Sequence, residues 1–220
     1  SAERKASTGV IGAAPADTPA ARATTARTST RCSPASTSYP ARNEAASIGR
    51  VIQQLKQAGH VHVVVVNDQS TDDTAAIAAA LGAVVLNPPL PLGAWGAMQT
   101  GIRYALREGY SGVITMDADG QHEVAEIPAL LAAGHHCDVV IGACPERGSA
   151  ARRLAWAWFR RLTGFGLEDL TSGFRYYKRP AIELLVGKEA TLLDYQDIGV
   201  LILLRRSGMS IEEVPVSMNI

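Results

Sequence analysis

Apolar positions along this chain follow two alternating rhythms. In 44–59, EAASIGRVIQQLKQAG, residues Ile48, Val51, Ile52 and Leu55 recur at the spacing of an amphipathic helix, and Gly59 stops it. VHVVVVND at 61–68 is β-branched and too short for a helix, which predicts a buried strand. Ser70 and Asp73 have the spacing of a capping box, opening an Ala-rich helix that runs to Leu81. AVVL at 83–86 predicts a second strand, a helix follows from about Ala97 to Arg107, and GVITMD at 112–117 predicts a third strand. EIPALLAAG is helical, and DVVIG at 138–142 predicts a fourth strand. In 194–208, Ile198, Leu201, Ile202 and Arg205 have core-like helical spacing, and Arg205 with Arg206 complements the helix C-terminus. Alternating strands and helices predict an α/β fold: one domain with a mostly parallel central sheet flanked by helices. Ligands of such sheets bind beyond the carboxyl ends of the strands, where Asp68 and the Asp117–Asp119 pair lie.

Residues 1–38 carry neither rhythm. They are mostly Ala, Ser, Thr, Arg and Pro, too poor in bulky apolar groups to offset chain entropy, and read as a disordered or aberrant segment ahead of a domain at 39–220. The 220 residues are 47% hydrophobic, enough for a real core, and the formal net charge of zero gives no pointer to nucleic acid. Cys32, Cys137 and Cys144 are unpatterned, which argues against a disulfide scaffold and fits a reducing compartment. Apolar runs fall far short of the roughly 20 residues of a spanning helix, and no signal peptide stands out.

ITMDADGQHE at 114–123 sets two carboxylates at a strand end, where they repel unless a positive charge lies between them. A hard divalent cation, Mg²⁺ or Mn²⁺, is the simplest partner, because it takes carboxylate and amide oxygens and keeps waters that a phosphate displaces. Gly120 permits a tight turn, and Gln121 and His122 offer a further ligand or a contact behind the ligands. The alternative is a solvated D-x-D occurring by chance. No G-x-x-x-x-G-K-[ST] is present, and GAWGAMQTG at 93–101 lacks G-x-G-x-x-G spacing, so its glycines are expected to bring a loop close to a ligand or the sheet.

YPARNEAASIG, VVVNDQSTDDT, GAWGAMQTG, MDADGQH, DVVIGA, DLTSGFRYYKR and EVPVSM occur in this order over 39–218. Together they resemble the family 2 glycosyltransferases of GT-A fold, and within them the dolichyl-phosphate mannose synthases and bacterial polyprenyl-phosphate glycosyltransferases. The resemblance implies an inverting, metal-dependent transfer from a GDP- or UDP-sugar to a polyprenyl phosphate. By position, it places Pro40, Ala41, Arg42, Glu44 and Gly96 at the nucleotide-sugar, and Asp68 at the base. Asp117, Asp119 and Gln121 match metal and diphosphate ligands, and Asp169, Ser172 and Arg175 fall on the acceptor side, with Leu170 where the family has Pro. Gln69 replaces a usual Gly, and Cys144 stands where an Arg is common.

The resemblance also calls for an apolar first strand before PARNE. RCSPASTS at 31–38 is polar and contains Pro34, so this strand is expected to be missing or altered. One codon choice for Ala35 to Ser38 followed by Tyr39 reads Leu-Asn-Ile-Val in another frame, which suggests a frame change upstream of an ordinary coding sequence.

An alcohol acceptor needs a general base, for which Asp169 and Asp197 are the candidates; an anionic phosphate acceptor does not. Asp194 and Asp197 also suit an N-cap and first turn of the helix they precede. ARRLAWAWFRRLTG at 151–164 sets Arg152, Arg153 and Arg160 in one sector with Trp156, with Leu154, Trp158 and Leu162 on another, which suits a lipid phosphate at an interface or an ordinary surface helix. The chain is expected to be cytoplasmic and peripheral to the inner face of the membrane, or to rely on an integral membrane partner. His135, His136, Glu212 and Glu213 are expected at the surface. The competing readings are a transferase to a sugar or protein hydroxyl, a non-catalytic nucleotide- or membrane-binding remnant and, more remotely, a nucleotidyltransferase.

Overall fold

The computed structural model describes residues 35–144, 166–167, 169–193 and 198–218. Its elements are β1 (Ser36–Ala41), α1 (Ile48–Gln57), β2 (Val63–Asn67), α2 (Thr74–Ala80), β3 (Val84–Leu86), α3 (Gly93–Arg107), β4 (Gly112–Thr115), a 3₁₀ turn (Val124–Glu126) and α4 (Ile127–Ala133). β5 (Val139–Ala143), β6 (Arg175–Lys178), α5 (Arg179–Leu185), α6 (Lys188–Thr191), α7 (Ile198–Arg206) and β7 (Ile211–Pro215) complete them. Seven strands form one sheet in the order β3-β2-β1-β4-β6-β5-β7, with only β6 antiparallel to its neighbours. The fold is the expected α/β architecture. Successive residues of β4 point to opposite faces: Ile114 packs in one apolar cluster with α1, α2 and α4, and Val113 in the other with α3, α5 and α7.

The first strand, expected to be missing or altered, is present with a polar sequence, which corrects the first of those alternatives. β1 begins inside the polar segment and lies centrally, paired with β2 from Thr37↔Val63 to Ala41↔Asn67 and with β4 from Ser36↔Val113 to Ser38↔Thr115. Strand pairing uses backbone groups that any side chain leaves free. Pro34 precedes the strand, and Pro40 lies past the last β4 pair, where no N–H is required of it. Tyr39 supplies apolar bulk and bonds the Met116 sulfur at 3.1 Å; burial pushes its phenol well above the usual value. Ser36, Thr37 and Ser38 are buried too, and the hydroxyls of Ser36 and Ser38 have no partner among the described residues. α3 approaches so closely that a methyl group at Gly101 would overlap Ser38 Oγ. A buried unpaired hydroxyl costs about 1–3 kcal/mol. Ser38→Ala is therefore expected to stabilise the fold by roughly 1 kcal/mol, read as a higher urea midpoint at unchanged slope; a lower midpoint would contradict this.

Three helix readings change. α2 starts at Thr74, not behind a Ser70–Asp73 box, because Asp72 Oδ1 accepts the Thr74 N–H at 3.1 Å. α3 starts at Gly93, so the GAWG glycines form its first turn rather than a loop. α7 buries Val200, Leu201 and Leu204, a face rotated from the expected one, and Arg205 and Arg206 are exposed.

Candidate active site

The loops that follow β1, β2 and β4 converge at the carboxyl end of the sheet, and side chains of the β2 loop hold the β1 loop. Asn43 donates its N–H to Ser70 Oγ at 3.0 Å, and its Oδ1 accepts the Thr71 N–H at 2.8 Å. Glu44 donates to Thr74 Oγ1 at 2.8 Å, and Ala45 to Asp72 Oδ2 at 3.0 Å. The Thr74 hydroxyl, with the Ala45 and Thr74 N–H groups, holds the Asp72 carboxyl below its ordinary range. Within the β1 loop Arg42 is exposed, Ala41 is buried and its carbonyl accepts the Asp68 N–H, and Glu44 Oε2 accepts the Ser47 hydroxyl at 2.8 Å.

Asp68 is 4% exposed. Its Oδ1 accepts the Leu92 N–H at 2.6 Å and its Oδ2 the Gly93 N–H at 2.9 Å. The carboxylate thereby caps α3 from outside the helix, satisfying donors a helix start leaves unpaired. Each oxygen keeps a further lone pair for a ligand. Beside this cap a cavity of about 340 Å³ is lined by Leu92, Gly96, Gln99, Arg103 and Thr191, among others.

Asp117 and Asp119 stand just beyond β4. Asp119 is exposed, and its Oδ1 accepts the Gln121 N–H at 2.9 Å. Gly120 takes φ +78°, which a side chain rarely adopts, and a Cβ there would meet Arg50 Nη2 at 2.9 Å. The Asp117 side chain is 34% exposed; His122 Nε2 lies 3.1 Å from its Oδ2. Behind it sits Gly173, where a Cβ would fall 2.8 Å from both carboxylate oxygens.

The segment carrying Gly173 is built by its own polar residues, of which Asp169, Ser172 and Arg175 are buried. Asp169 Oδ1 accepts from the Thr171 N–H and hydroxyl, both at 3.2 Å, and its Oδ2 accepts the Cys144 N–H at 3.3 Å. Ser172 Oγ accepts the Phe174 N–H at 3.2 Å. Arg175, 1% exposed, donates Nε to the Ser172 carbonyl at 2.7 Å and Nη2 to the Leu170 carbonyl at 2.9 Å. These three residues thus shape the loop that backs Asp117. Glu213 is half-buried rather than at the surface, because it accepts the Asp169 N–H at 2.7 Å. His135 and His136 are exposed, as is Glu212. Asp194, Asp197, Arg152, Arg153 and the rest of the basic segment lie outside the described residues.

The donor set can be tested against a divalent cation. Among the described residues no group of three or more His, Cys, Asp and Glu side chains could hold a metal ion. Mg²⁺-type sites commonly use one or two carboxylates, with water and substrate phosphates filling the other positions. Adjacent, solvent-reached Asp117 and Asp119, with the half-buried Gln121 amide, fit that pattern. Sequence reading noted His122 only as an option and missed Gly173; the visible signal for the latter is a Gly set between Ser172 and Phe174.

The family model described as "Glycosyl transferase family 2" matches residues 38–186. Polyprenol monophosphomannose synthase of Mycolicibacterium smegmatis is 30% identical over 200 residues, covering 81% of this chain and 74% of that protein. Undecaprenyl-phosphate mannosyltransferase of Micrococcus luteus is 30% identical over 199 residues, covering 82% of each chain. Among solved structures, glucosyl-3-phosphoglycerate synthase from Mycobacterium tuberculosis, in complex with Mn²⁺, UDP-glucose and phosphoglyceric acid, superposes with a TM-score of 0.62 at 25% identity, covering 82% of this chain and 68% of that one.

Proposed function

This chain belongs to glycosyl transferase family 2, and from that premise we propose that it moves a hexosyl group from a nucleotide-diphosphate sugar to a polyprenyl phosphate, with inversion at the anomeric carbon. The observation that carries this reading is the pair Asp117–Asp119 at the end of β4, with Asp117 seated between His122 and Gly173. Mannose is the first candidate sugar, because both sequence relatives are named for it.

Asp117 and Asp119, with Gln121, would hold the divalent cation, Mg²⁺ or Mn²⁺. When bound, such a cation neutralises charge that builds on the leaving diphosphate. The protein's own share is positioning. Asp68 fixes the start of α3 beside the donor, and Asn43, Ser70, Asp72 and Thr74 lock the two nucleotide-side loops together. Pro40, Ala41, Arg42, Glu44 and Gly96 would border the nucleotide-sugar. The acceptor phosphate carries its own negative charge and attacks the face opposite the diphosphate, so orientation replaces a general base. That suits Asp169, which is buried and whose carboxylate accepts from Thr171 within its own loop and from Cys144. Among the described residues no helix is long and apolar enough to cross a membrane. We assign the lipid phosphate to Arg152 and Arg153, which would hold the chain at the membrane surface, alone or with an integral membrane partner.

A second reading, transfer to a hydroxyl, takes its support from the structural likeness to a phosphoglycerate-binding synthase. A panel of GDP- and UDP-sugars, offered with a short-chain polyprenyl phosphate or with phosphoglycerate and with or without EDTA, separates the two. The expected product is a chelator-sensitive polyprenyl-phosphate sugar. Transfer to phosphoglycerate alone would establish the second reading, and no transfer with any donor would favour a remnant.

A further inference from the structure

His122 occupies an unusual place for a polar ring. Its side chain is 1% exposed, and the ring lies against Phe174 with centroids 5.1 Å apart. Its backbone forms a bridge with Met218, so the loop is covered from the C-terminal side. Nε2 sits 3.1 Å from Asp117 Oδ2, while Nδ1 is buried with no partner among the described residues.

Two hydrogen placements are open to a neutral ring. With the proton on Nε2, the ring donates to the carboxylate and leaves one bare lone pair on Nδ1. With the proton on Nδ1, a buried N–H goes unpaired, and the Nε2 lone pair faces the carboxylate's own. The first arrangement makes a charge-assisted hydrogen bond. The second forfeits it and adds an orphaned donor, the costlier kind of buried polar group.

A phenyl ring would fill the same slot against Phe174 without any bare nitrogen. For folding alone, the imidazole is thus no better than a hydrocarbon ring. What it adds is the bond to Asp117. We propose that His122 is a positioning residue of the donor site: its Nε2–H fixes the rotation of the Asp117 carboxylate, which Gly173 supports from behind, so that the carboxylate is held ready for a divalent cation. This rests on the reading of Asp117 as a cation ligand. Partners behind the direct ligands of a metal typically contribute 10–100-fold in affinity.

The test is a titration of the full chain with Mn²⁺ in the presence of UDP and, separately, of GDP, following free Mn²⁺ by electron paramagnetic resonance. It is run on the wild type, His122→Phe and His122→Gln, with thermal unfolding of each. Nitrogen NMR of the wild type without metal reports which ring nitrogen carries the proton. His122→Phe is expected to bind Mn²⁺ about 10–100-fold more weakly while its unfolding temperature holds or rises. His122→Gln, which keeps an N–H donor, recovers part of the loss, and NMR finds the proton on Nε2. Equal Mn²⁺ affinity in the wild type and His122→Phe, or a proton on Nδ1, overturns the role of His122 and leaves the cation site standing. No Mn²⁺ binding by the wild type with either nucleotide removes the ligand role of Asp117, and the positioning role with it.

Discussion

Asp117→Asn and Asp119→Asn are each expected to lower sugar transfer by about 10²–10³-fold while leaving the fold intact. Asn preserves the shape of the side chain and still offers one carbonyl oxygen, so His122 Nε2 keeps an acceptor in Asp117→Asn. What disappears is one negative charge from the pair proposed to hold a dication where the leaving diphosphate develops its own. Loss of one electrostatic stabiliser of this kind typically costs about 3–4 kcal/mol of barrier. Stability moves the other way or not at all. Asp119 is exposed, and removing one of two neighbouring like charges relieves repulsion. Initial rates with the preferred donor, alongside thermal unfolding, check both halves. A variant that lost activity by unfolding would show a lowered midpoint, which the account does not expect.

Gly173→Ala is expected to reduce transfer by about 10²-fold, the scale associated with a displacement of about 1 Å at a reacting site. The added Cβ would stand 2.8 Å from both Asp117 oxygens and 3.1 Å from its Cγ. Real contacts of that kind open up, so the carboxylate or the loop must shift. The loop has little freedom, because Thr115 Oγ1 donates to the Gly173 carbonyl at 2.9 Å and Arg175 grips the carbonyls on its N-terminal side. The carboxylate therefore moves, and Mn²⁺ affinity falls with activity. Gly166→Ala, where a new Cβ would meet nothing within 4 Å, is the control and keeps wild-type rates. Equal rates in both variants would mean that the packing behind Asp117 does not matter to catalysis.

Much of the sheet was legible because burial energy and β-branching coincide in it. β2 and β5 are runs of Val and Ile, and their side chains are buried as the pattern implies. β1 escaped because hydropathy reports side-chain burial, while a central strand is required only to pair its backbone. Ser36 and Ser38 meet that requirement and leave two buried hydroxyls unpaired. The start of α3 escaped for a different reason. Glycine at the head of a helix lowers its intrinsic propensity, and the compensating cap comes from Asp68, 24 residues away from Leu92.

In the site, the acidic pair announced itself because two like charges at a strand end call for a counter-charge. Asp169, Ser172 and Arg175 were legible as a motif but not in orientation. Whether a polar side chain in a loop faces a ligand or its own backbone depends on carbonyls such as those of Leu170 and Ser172, which only the folded chain brings within reach. The seat of Asp117 was hidden likewise, since His122 and Gly173 meet it from opposite sequence neighbourhoods.

The central claim is that a divalent cation couples Asp117 and Asp119 to the donor's diphosphate. Calorimetric titration of the wild-type chain with UDP and with GDP, in Mn²⁺ and again in EDTA, tests it most directly. One nucleotide is expected to bind in Mn²⁺, and its heat to vanish in the chelator. Binding of equal strength in EDTA would contradict it.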